Sequence, residues 1–167
     1  YTTLFRSIKY VILSSTWLPL TVENQLALSN AGKRESSFAA GKMALDRTLD
    51  ALDQLGLTVI VVGPPALSGT DTGRCLTAAI VRGLPLTKCD FRRSLADGNA
   101  TATDALLRPL SARVTVINLR DFTCNMRKCA ATIDGVPLYR DPRHLSIPGS
   151  IALMGRIDLL SRFNSDP

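Results

Sequence analysis

The sequence predicts an α/β domain of three layers, built around a mostly parallel sheet. Three short runs of β-branched and apolar residues have the composition of buried parallel strands: residues 9–15 (KYVILSS), 57–62 (LTVIVV) and 113–119 (RVTVINL). A segment with helical periodicity precedes the second run, and another precedes the third. This alternation of helix and strand indicates a sheet that is covered by helices.

The size and composition of the chain fit a single globular domain. Its 167 residues are enough for a substantial core, and 46% of them are hydrophobic and 20% charged. No apolar run approaches the ~18 residues of a membrane span, and the N-terminus lacks the pattern of a signal peptide. The net charge of +6 favours contact with anionic surfaces or polyanionic glycans. The basic residues are scattered, however, so we expect no nucleic-acid binding.

The first seven residues, YTTLFRS, read like the translation of a sequencing adapter. We therefore expect residues 1–7 to be a non-native segment and the domain to occupy residues 8–167. A genuine N-terminal strand is the alternative.

The first predicted strand ends in three small hydroxyl residues, Ser14, Ser15 and Thr16. Open α/β sheets bind ligands outside the carboxyl ends of their strands, so we expect this position to lie near a site. Residues 18–37 lack a clear period and are predicted to form a surface loop that leads to a helix.

The first predicted helix spans residues 38–55, with Ser36 or Ser37 as its N-cap and Gly56 as its C-terminal stop. Its buried face is expected to contain six apolar residues: Phe38, Met43, Leu45, Leu49, Leu52 and Leu55. The second strand follows at once, and the turn at residues 63–65 (Gly-Pro-Pro) ends it.

The second half of the chain is predicted to contain a short helix at 74–82 and another at 101–110, before the third strand. Asp121, just beyond that strand, is either close to the site or a turn or cap residue. The last helix is expected to begin after Ser146 and to pack through six apolar residues: Ile151, Leu153, Met154, Ile157, Leu159 and Leu160. An amphipathic helix at a membrane surface is the alternative for that segment, although its cations are few.

The only histidine of the chain, His144, follows Asp141 by three residues. At this spacing the carboxylate can reach one imidazole nitrogen, fix the tautomer and leave the other nitrogen free as a general base. On spacing alone, a solvated histidine without a role is the alternative.

The residues around this pair carry a more specific signal. The matching positions are Gly135, Pro137, Leu138, Tyr139, Asp141, His144, Leu145, Ser146 and Gly149. This block resembles the last block of the SGNH-hydrolase domain that is fused to membrane acyltransferases of acyltransferase family three. Weaker similarity extends back to about Lys9. The resemblance implies an SGNH-hydrolase-like, flavodoxin-like fold.

The resemblance also assigns roles to several residues. Asp141 and His144 take the places of the Asp and His of a Ser-His-Asp triad. The family's nucleophile block, a Gly-Asp-Ser-type turn, has no counterpart here, which implies that the domain is N-terminally truncated. Ser14 or Ser15 as nucleophile is the alternative, but neither follows a glycine that would permit a tight strand-to-helix turn.

Two further segments correspond to the oxyanion site of the family. Trp17 occupies the position of a family tryptophan after the first strand, and the loop with Ser14 and Ser15 would donate a backbone N–H to the oxyanion. Gly63 begins the second candidate element, where a Pro-containing turn is usual in these relatives. A simple strand-terminating turn is the alternative for Gly63.

The four cysteines form two near pairs. The spacing of Cys124 and Cys129 recurs in the acyltransferase-fused relatives, which implies a disulfide beside a hairpin whose turn is at 134–135 (Asp-Gly). Cys75 and Cys89 are a second candidate pair. Four cysteines allow three pairings, and a four-thiolate zinc site is the alternative, although the spacings do not match those of zinc ribbons.

The function implied by the resemblance is that of part of an O-acyltransferase, chiefly an O-acetyltransferase, that modifies cell-surface or exported polysaccharide. The expected partners are an acyl donor, supplied through an upstream membrane acyltransferase domain, and an acceptor glycan. Membrane contact is expected only through the missing N-terminal part, at the periplasmic or extracytoplasmic face of a bacterial inner membrane. No cofactor and no metal are expected. A stand-alone esterase or deacetylase and a non-catalytic glycan-binding domain are the alternatives.

Overall fold

The computed structural model describes residues 8–21, 28–30, 33–35 and 37–158. The strands are β1 (Tyr10–Ser14), β2 (Leu28–Asn30), β3 (Lys33–Glu35), β4 (Thr58–Gly63), β5 (Phe91–Arg92), β6 (Thr115–Asn118), β7 (Lys128–Cys129), β8 (Thr132–Ile133) and β9 (Val136–Pro137). The α-helices are α1 (Phe38–Gln54), α2 (Thr72–Val81), α3 (Arg93–Leu107) and α4 (Ile147–Ile157). The predicted adapter segment 1–7, the alternative cap Ser36, and Leu159 and Leu160 lie outside the described residues.

The chain forms two compact units. The first, which we call the sheet unit, comprises Tyr1–Pro64 and Ala102–Ile117, and the second, the histidine unit, comprises Pro65–Thr101 and Asn118–Pro167. None of the described helices combines the length and the apolar character that crossing a membrane requires.

The sheet unit contains a parallel three-stranded sheet in the order β1-β4-β6. The three strands coincide with the three runs predicted from sequence, so the α/β class with a parallel sheet is confirmed. Strands β1 and β4 pair in register, with Ser14 opposite Val62. The core beside the sheet consists of eight buried residues: Trp17, Leu45, Leu49, Val59, Val61, Leu106, Leu107 and Leu110.

The prediction that β1 is buried was wrong. Tyr10 and Ile12 are 41% and 46% exposed, and burial alternates along the strand. In the described part of the chain β1 has a neighbouring strand on one side only, whereas β4 has one on each side and is buried from Val59 to Gly63. A continuous apolar run therefore does not distinguish an edge strand from a central one.

Helix α1 begins and ends almost where the sequence predicts. The hydroxyl oxygen of Ser37 accepts the backbone N–H of Ala40 at 3.1 Å, and Gly56 adopts a φ of 69° beyond the last turn. The predicted face was wrong in part. Leu45, Leu49 and the half-buried Leu52 share one stripe, whereas Met43 lies on another face of the helix and is exposed. Phe38 and Leu55 are also exposed, because they lie at the first residue of the helix and just beyond its last one.

Two elements differ from the predicted pattern. The predicted loop at 18–37 contains the antiparallel pair β2–β3. Helix α3 begins at Arg93 rather than at 101. It runs through Gly98, although glycine lowers helix propensity by about 1 kcal/mol. Ala96, in the part of the helix that was not predicted, is buried at 1% exposure.

The histidine unit is built from short elements. Helix α2 is capped by Asp71, whose carboxylate accepts the backbone N–H of Arg74 at 2.8 Å. Strands β8 and β9 form a hairpin, and Asp134 and Gly135 at its turn have φ values of 50° and 80°. The Asp-Gly pair supplies the two positive φ angles that a tight two-residue turn needs.

Helix α4 packs against this hairpin. Its N-cap is Ser146, whose hydroxyl oxygen accepts the backbone N–H of Gly149 at 2.9 Å. Leu153 and Ile157 are buried, as predicted, but Ile151 and Met154 are 69% and 38% exposed. The predicted set mixed two faces of the helix, and only the i, i+4 pair faces the hairpin.

Candidate active site

The loop that carries the histidine is closed at its base by backbone hydrogen bonds. The N–H of Ser146 donates to the carbonyl of Leu138 at 2.8 Å, and the N–H of Arg140 donates to the carbonyl of His144 at 3.0 Å. Tyr139 and Leu145 form an isolated β-bridge between these two bonds. The histidine loop, residues 139–145, therefore has both ends fixed to each other.

Inside this loop, the main chain positions the carboxylate of Asp141. Its Oδ1 accepts the backbone N–H groups of Arg143 and His144, each at 2.9 Å. This is the Asx-turn geometry that a short acidic side chain forms with its own following residues. The N–H of Arg143, the His144 side chain and the His144 N–H hold the pKa of the Asp141 carboxyl well below its usual range. The carboxylate is therefore ionised at every physiological pH.

The carboxylate in turn holds the imidazole. His144 Nδ1 lies 2.9 Å from both Oδ1 and Oδ2 of Asp141. An ionised carboxylate can only accept, so Nδ1 carries a proton, and in the neutral imidazole Nε2 is the nitrogen with the free lone pair. The His144 side chain is 62% exposed, and its Nε2 has no hydrogen-bond partner in the described parts of the chain. The pair is thus arranged as a base with an accessible nitrogen and an orienting acid.

Two residues that sequence reasoning left without a role support the loop. The Tyr139 hydroxyl is buried and donates to the carbonyl of Ala66 at 2.8 Å; burial raises the pKa of Tyr139. The Tyr139 ring also meets Phe91 edge to face, with 6.0 Å between centroids. Gly73 in α2 lies against the Arg140 carbonyl, where a Cβ would collide with backbone. In the sequence, a glycine in the first turn of a helix could have indicated this close approach.

The other candidate residues gather at the carboxyl ends of β1 and β4. Ser14 and Ser15 are exposed, and Gly63 is the buried last residue of β4. The indole N–H of the buried Trp17 donates to the carbonyl of Val62 at 2.8 Å. Trp17 has a φ of 58°, a strained conformation for a residue with a side chain.

The structure therefore brings the candidates together in two sets. Asp141 and His144 form one set, in the histidine unit, and the residues at the strand ends form the other, in the sheet unit. Asp121 lies in a short 3-10 helix, Leu119–Phe122, with Arg93 Nη2 3.5 Å from its Oδ1. That setting fits the interpretation of Asp121 as a turn residue.

The cysteines form both expected disulfides, Cys75–Cys89 and Cys124–Cys129. None of the four is a free thiol, so the four-thiolate zinc alternative is wrong. Within the described ranges, no group of three or more His, Cys, Asp or Glu side chains is placed to hold a metal ion.

Comparison with known proteins agrees with this architecture. The chain belongs to the family of SGNH domains fused to AT3 domains, whose model matches residues 3–158.

Among solved structures, the chain is similar to the periplasmic domain of a lipopolysaccharide acetyltransferase from Salmonella ser. Paratyphi A, with a TM-score of 0.55 and 14% sequence identity. The similarity covers 91% of this chain and 56% of that one, so the chain spans little more than half of the structure it matches. No curated protein matches the sequence.

Proposed function

We propose that this chain is the base-carrying part of an O-acyltransferase that moves an acyl group, chiefly acetyl, to a sugar hydroxyl. The observation that carries the proposal is the contact between His144 Nδ1 and both carboxylate oxygens of Asp141 at 2.9 Å. Membership of a family of domains fused to AT3 domains supports it. So does the similarity in fold to a domain of a protein named as a lipopolysaccharide acetyltransferase.

In the proposed reaction, a serine from sequence outside this chain attacks the acyl carbonyl of the donor. His144 Nε2 takes the serine proton as the new C–O bond forms, and gives it to the leaving group as the donor bond breaks. Nε2 then takes the proton of the acceptor hydroxyl, which attacks the acyl-serine, and returns that proton to the serine. Asp141 stabilises the imidazolium formed in both steps.

The negative charge on the carbonyl oxygen needs hydrogen-bond donors. Backbone N–H groups at the carboxyl ends of β1 and β4, next to Ser14, Ser15 and Gly63, are our candidates. The indole N–H of Trp17 donates to the Val62 carbonyl and so joins the turn after β1 to the end of β4. Each of these steps uses only side chains and backbone, and none calls for a cofactor.

The same pair would support hydrolysis if water replaced the sugar. The 62% exposure of the His144 side chain favours this second candidate, an esterase or deacetylase. The two disulfides fit an oxidising compartment. We propose that the domain works at the extracytoplasmic face of a bacterial inner membrane, next to an acyltransferase domain that supplies the acyl group.

The test is acetyl transfer by the protein that carries this domain together with the sequence encoded upstream of Ile8. We expect His144→Ala and Asp141→Asn each to lower kcat by about 10²- to 10⁴-fold, as for loss of a general base or of its orienting partner. Asp134→Asn is the control, because Asp134 lies in the neighbouring hairpin and pairs with Arg156. Transfer that survives both site variants would overturn the proposal.

A second assay uses the present chain alone with 4-nitrophenyl acetate. We expect no hydrolysis above that of the His144→Ala variant, because the nucleophile lies elsewhere. Robust hydrolysis that depends on His144 would contradict this expectation and make Ser14 and Ser15 the first nucleophiles to test. The amount of acetyl transferred to the sugar, compared with the amount of acetate released into water, distinguishes a transferase from an esterase.

A further inference from the structure

The histidine unit contains a pocket that the proposed acyl chemistry does not use. It has a volume of about 380 Å³ and lies beside the Cys124–Cys129 disulfide. Its lining includes one carboxylate, one ammonium group, one amide and one aromatic ring: Asp90, Lys128, Asn125 and Phe122. This volume falls in the range of small-molecule sites, about 300–1,000 Å³.

The amide of Asn125 is held in one orientation. Its Oδ1 accepts the backbone N–H groups of Arg127 and Lys128 at 2.9 and 2.8 Å, and the backbone N–H of Asn125 donates to the Lys128 carbonyl at 2.9 Å. The disulfide closes the same turn. Both N–H bonds of the side-chain amide remain without a partner in the described chain. Asn125 is thus a preorganised hydrogen-bond donor.

The carboxylate of Asp90 supplies acceptors in the same pocket. Its side chain is 13% exposed. Oδ1 accepts the backbone N–H of Ala131 at 3.0 Å, and Oδ2 lies 3.3 Å from Lys128 Nζ. Each oxygen can accept a further hydrogen bond, and the ammonium group can donate two more. The charges of Asp90 and Lys128 balance, so the pocket does not select for an anion or a cation.

A neutral ligand that offers several hydroxyl groups and one apolar face matches this lining. Each hydroxyl both donates and accepts, which Asp90 and Asn125 can satisfy, and the C–H face of a pyranose ring can lie on Phe122. We propose that this pocket binds one neutral sugar residue of the acceptor glycan. The inference rests on the proposed function for the identity of that glycan as acceptor.

The pocket and the candidate base share a structural support. Phe122 ends the 3-10 helix Leu119–Phe122, which packs against α4. Helix α4 begins directly after the histidine loop, at Ile147. The element that carries Phe122 therefore contacts the helix that directly follows the histidine loop.

The test measures binding without an acyl donor. Methyl glycosides of galactose, mannose and rhamnose are titrated into the isotopically labelled chain, and backbone amide shifts are followed by NMR. We expect saturable shifts at Asn125, Lys128 and Ala130 with at least one of the three sugars. Phe122→Ala should weaken that binding at least about tenfold, through lost apolar contact, and Asn125→Asp about five- to tenfold, through lost donors.

Asn125→Asp is chosen because an aspartate at 125 keeps the oxygen that accepts the two backbone N–H groups, so the turn stays folded. Met126→Ala is the matched control, since Met126 lies in the same turn, is 95% exposed and does not line the pocket. It should leave binding unchanged. No saturable shift with any of the three sugars, or equal loss in Met126→Ala, would overturn the inference.

The outcome is separable from that of the proposed function. His144→Ala should not affect sugar binding, because His144 does not line the pocket. Sugar binding without acyl transfer would leave the pocket assigned and refute only the transferase. Acyl transfer that is unaffected by Phe122→Ala and Asn125→Asp, in a chain that binds none of the sugars, would refute only the pocket.

Discussion

The histidine loop and the carboxyl ends of β1 and β4 are built with the same two devices. In each, a buried aromatic residue donates one hydrogen bond of 2.8 Å to a backbone carbonyl, Tyr139 to Ala66 and Trp17 to Val62. In each unit, a helical glycine lies against a backbone carbonyl, Gly73 against that of Arg140 and Gly41 against that of Leu20. The two regions differ in the functional groups that these contacts hold in position.

The histidine loop carries a finished acid–base pair, because Asp141 is locked by two backbone N–H groups and in turn orients His144. The strand ends carry only exposed hydroxyls and backbone groups. No base is within the described contacts of Ser14 or Ser15. The comparison shows that similar supporting contacts occur in both regions, whereas among the described residues the paired carboxylate and imidazole lie in the histidine loop.

The largest expected effect comes from the two buttressing glycines. Gly73→Ala would drive a Cβ into the Arg140 carbonyl, and Gly41→Ala would drive one into the Leu20 carbonyl. Since backbone must move in both cases, we expect each to lower the free energy of unfolding by about 3 kcal/mol in urea denaturation. Only Gly73→Ala should shift the NMR signals of the His144 ring.

Gly155→Ala is the control for this pair. Gly155 lies in α4 with nothing within 4 Å of an added Cβ, so alanine should raise stability by up to about 1 kcal/mol through helix propensity. If Gly73→Ala resembled Gly155→Ala, the close approach to Arg140 would not support the loop.

A smaller effect is expected from the two aromatic donors. Tyr139→Phe removes the hydroxyl and leaves the Ala66 carbonyl without its buried donor, which should cost about 1–2 kcal/mol. Trp17→Phe removes the corresponding bond to Val62 and also reduces buried volume, so its cost should be larger. Urea denaturation of both variants measures the difference. Equal stability of Tyr139→Phe and the wild type would mean that the loop does not depend on this bond.

The smallest expected effect on stability comes from protonation of the Asp141 carboxyl, which happens only at low pH. A lowered pKa means that the ionised carboxylate contributes to stability fully above the ordinary aspartate pKa, about 3.9. This contribution is lost as the pH falls through the lowered folded-state pKa. Carboxyl ¹³C NMR should find Asp141 still ionised at pH 3.

His144→Ala should bring the pKa of Asp141 only part of the way back to its ordinary value, because the hydrogen bond from the N–H of Arg143 is the leading cause of the lowered pKa. A midpoint near 4 for Asp141 in the wild type would show that the loop does not hold the carboxylate as the distances indicate.

The sequence predicted the contact in the histidine loop correctly, but it did not predict the exposure of β1 or the start of α3. The contact between Asp141 and His144 is predictable because a spacing of three residues and one Asx-turn bring the groups together. The exposure of Ile12 on β1 was not predictable, since it depends on which surfaces cover the strand. The start of α3 at Arg93 was missed for a related reason: Gly98 weakens the helical pattern in the sequence, and the burial of Ala96 is set by packing.

By itself, the sequence determined the features whose causes lie within a few residues: the strand-forming runs, the Asp134-Gly135 turn, the Ser37 and Ser146 caps and the pairing of carboxylate and imidazole. Only the tertiary structure decided which distant groups meet, such as Tyr139 with Ala66, Gly73 with Arg140, and Asp90 with Lys128. Local hydrogen bonds depend on the order of a few side chains, whereas these contacts depend on how whole elements pack, which no short stretch of sequence specifies.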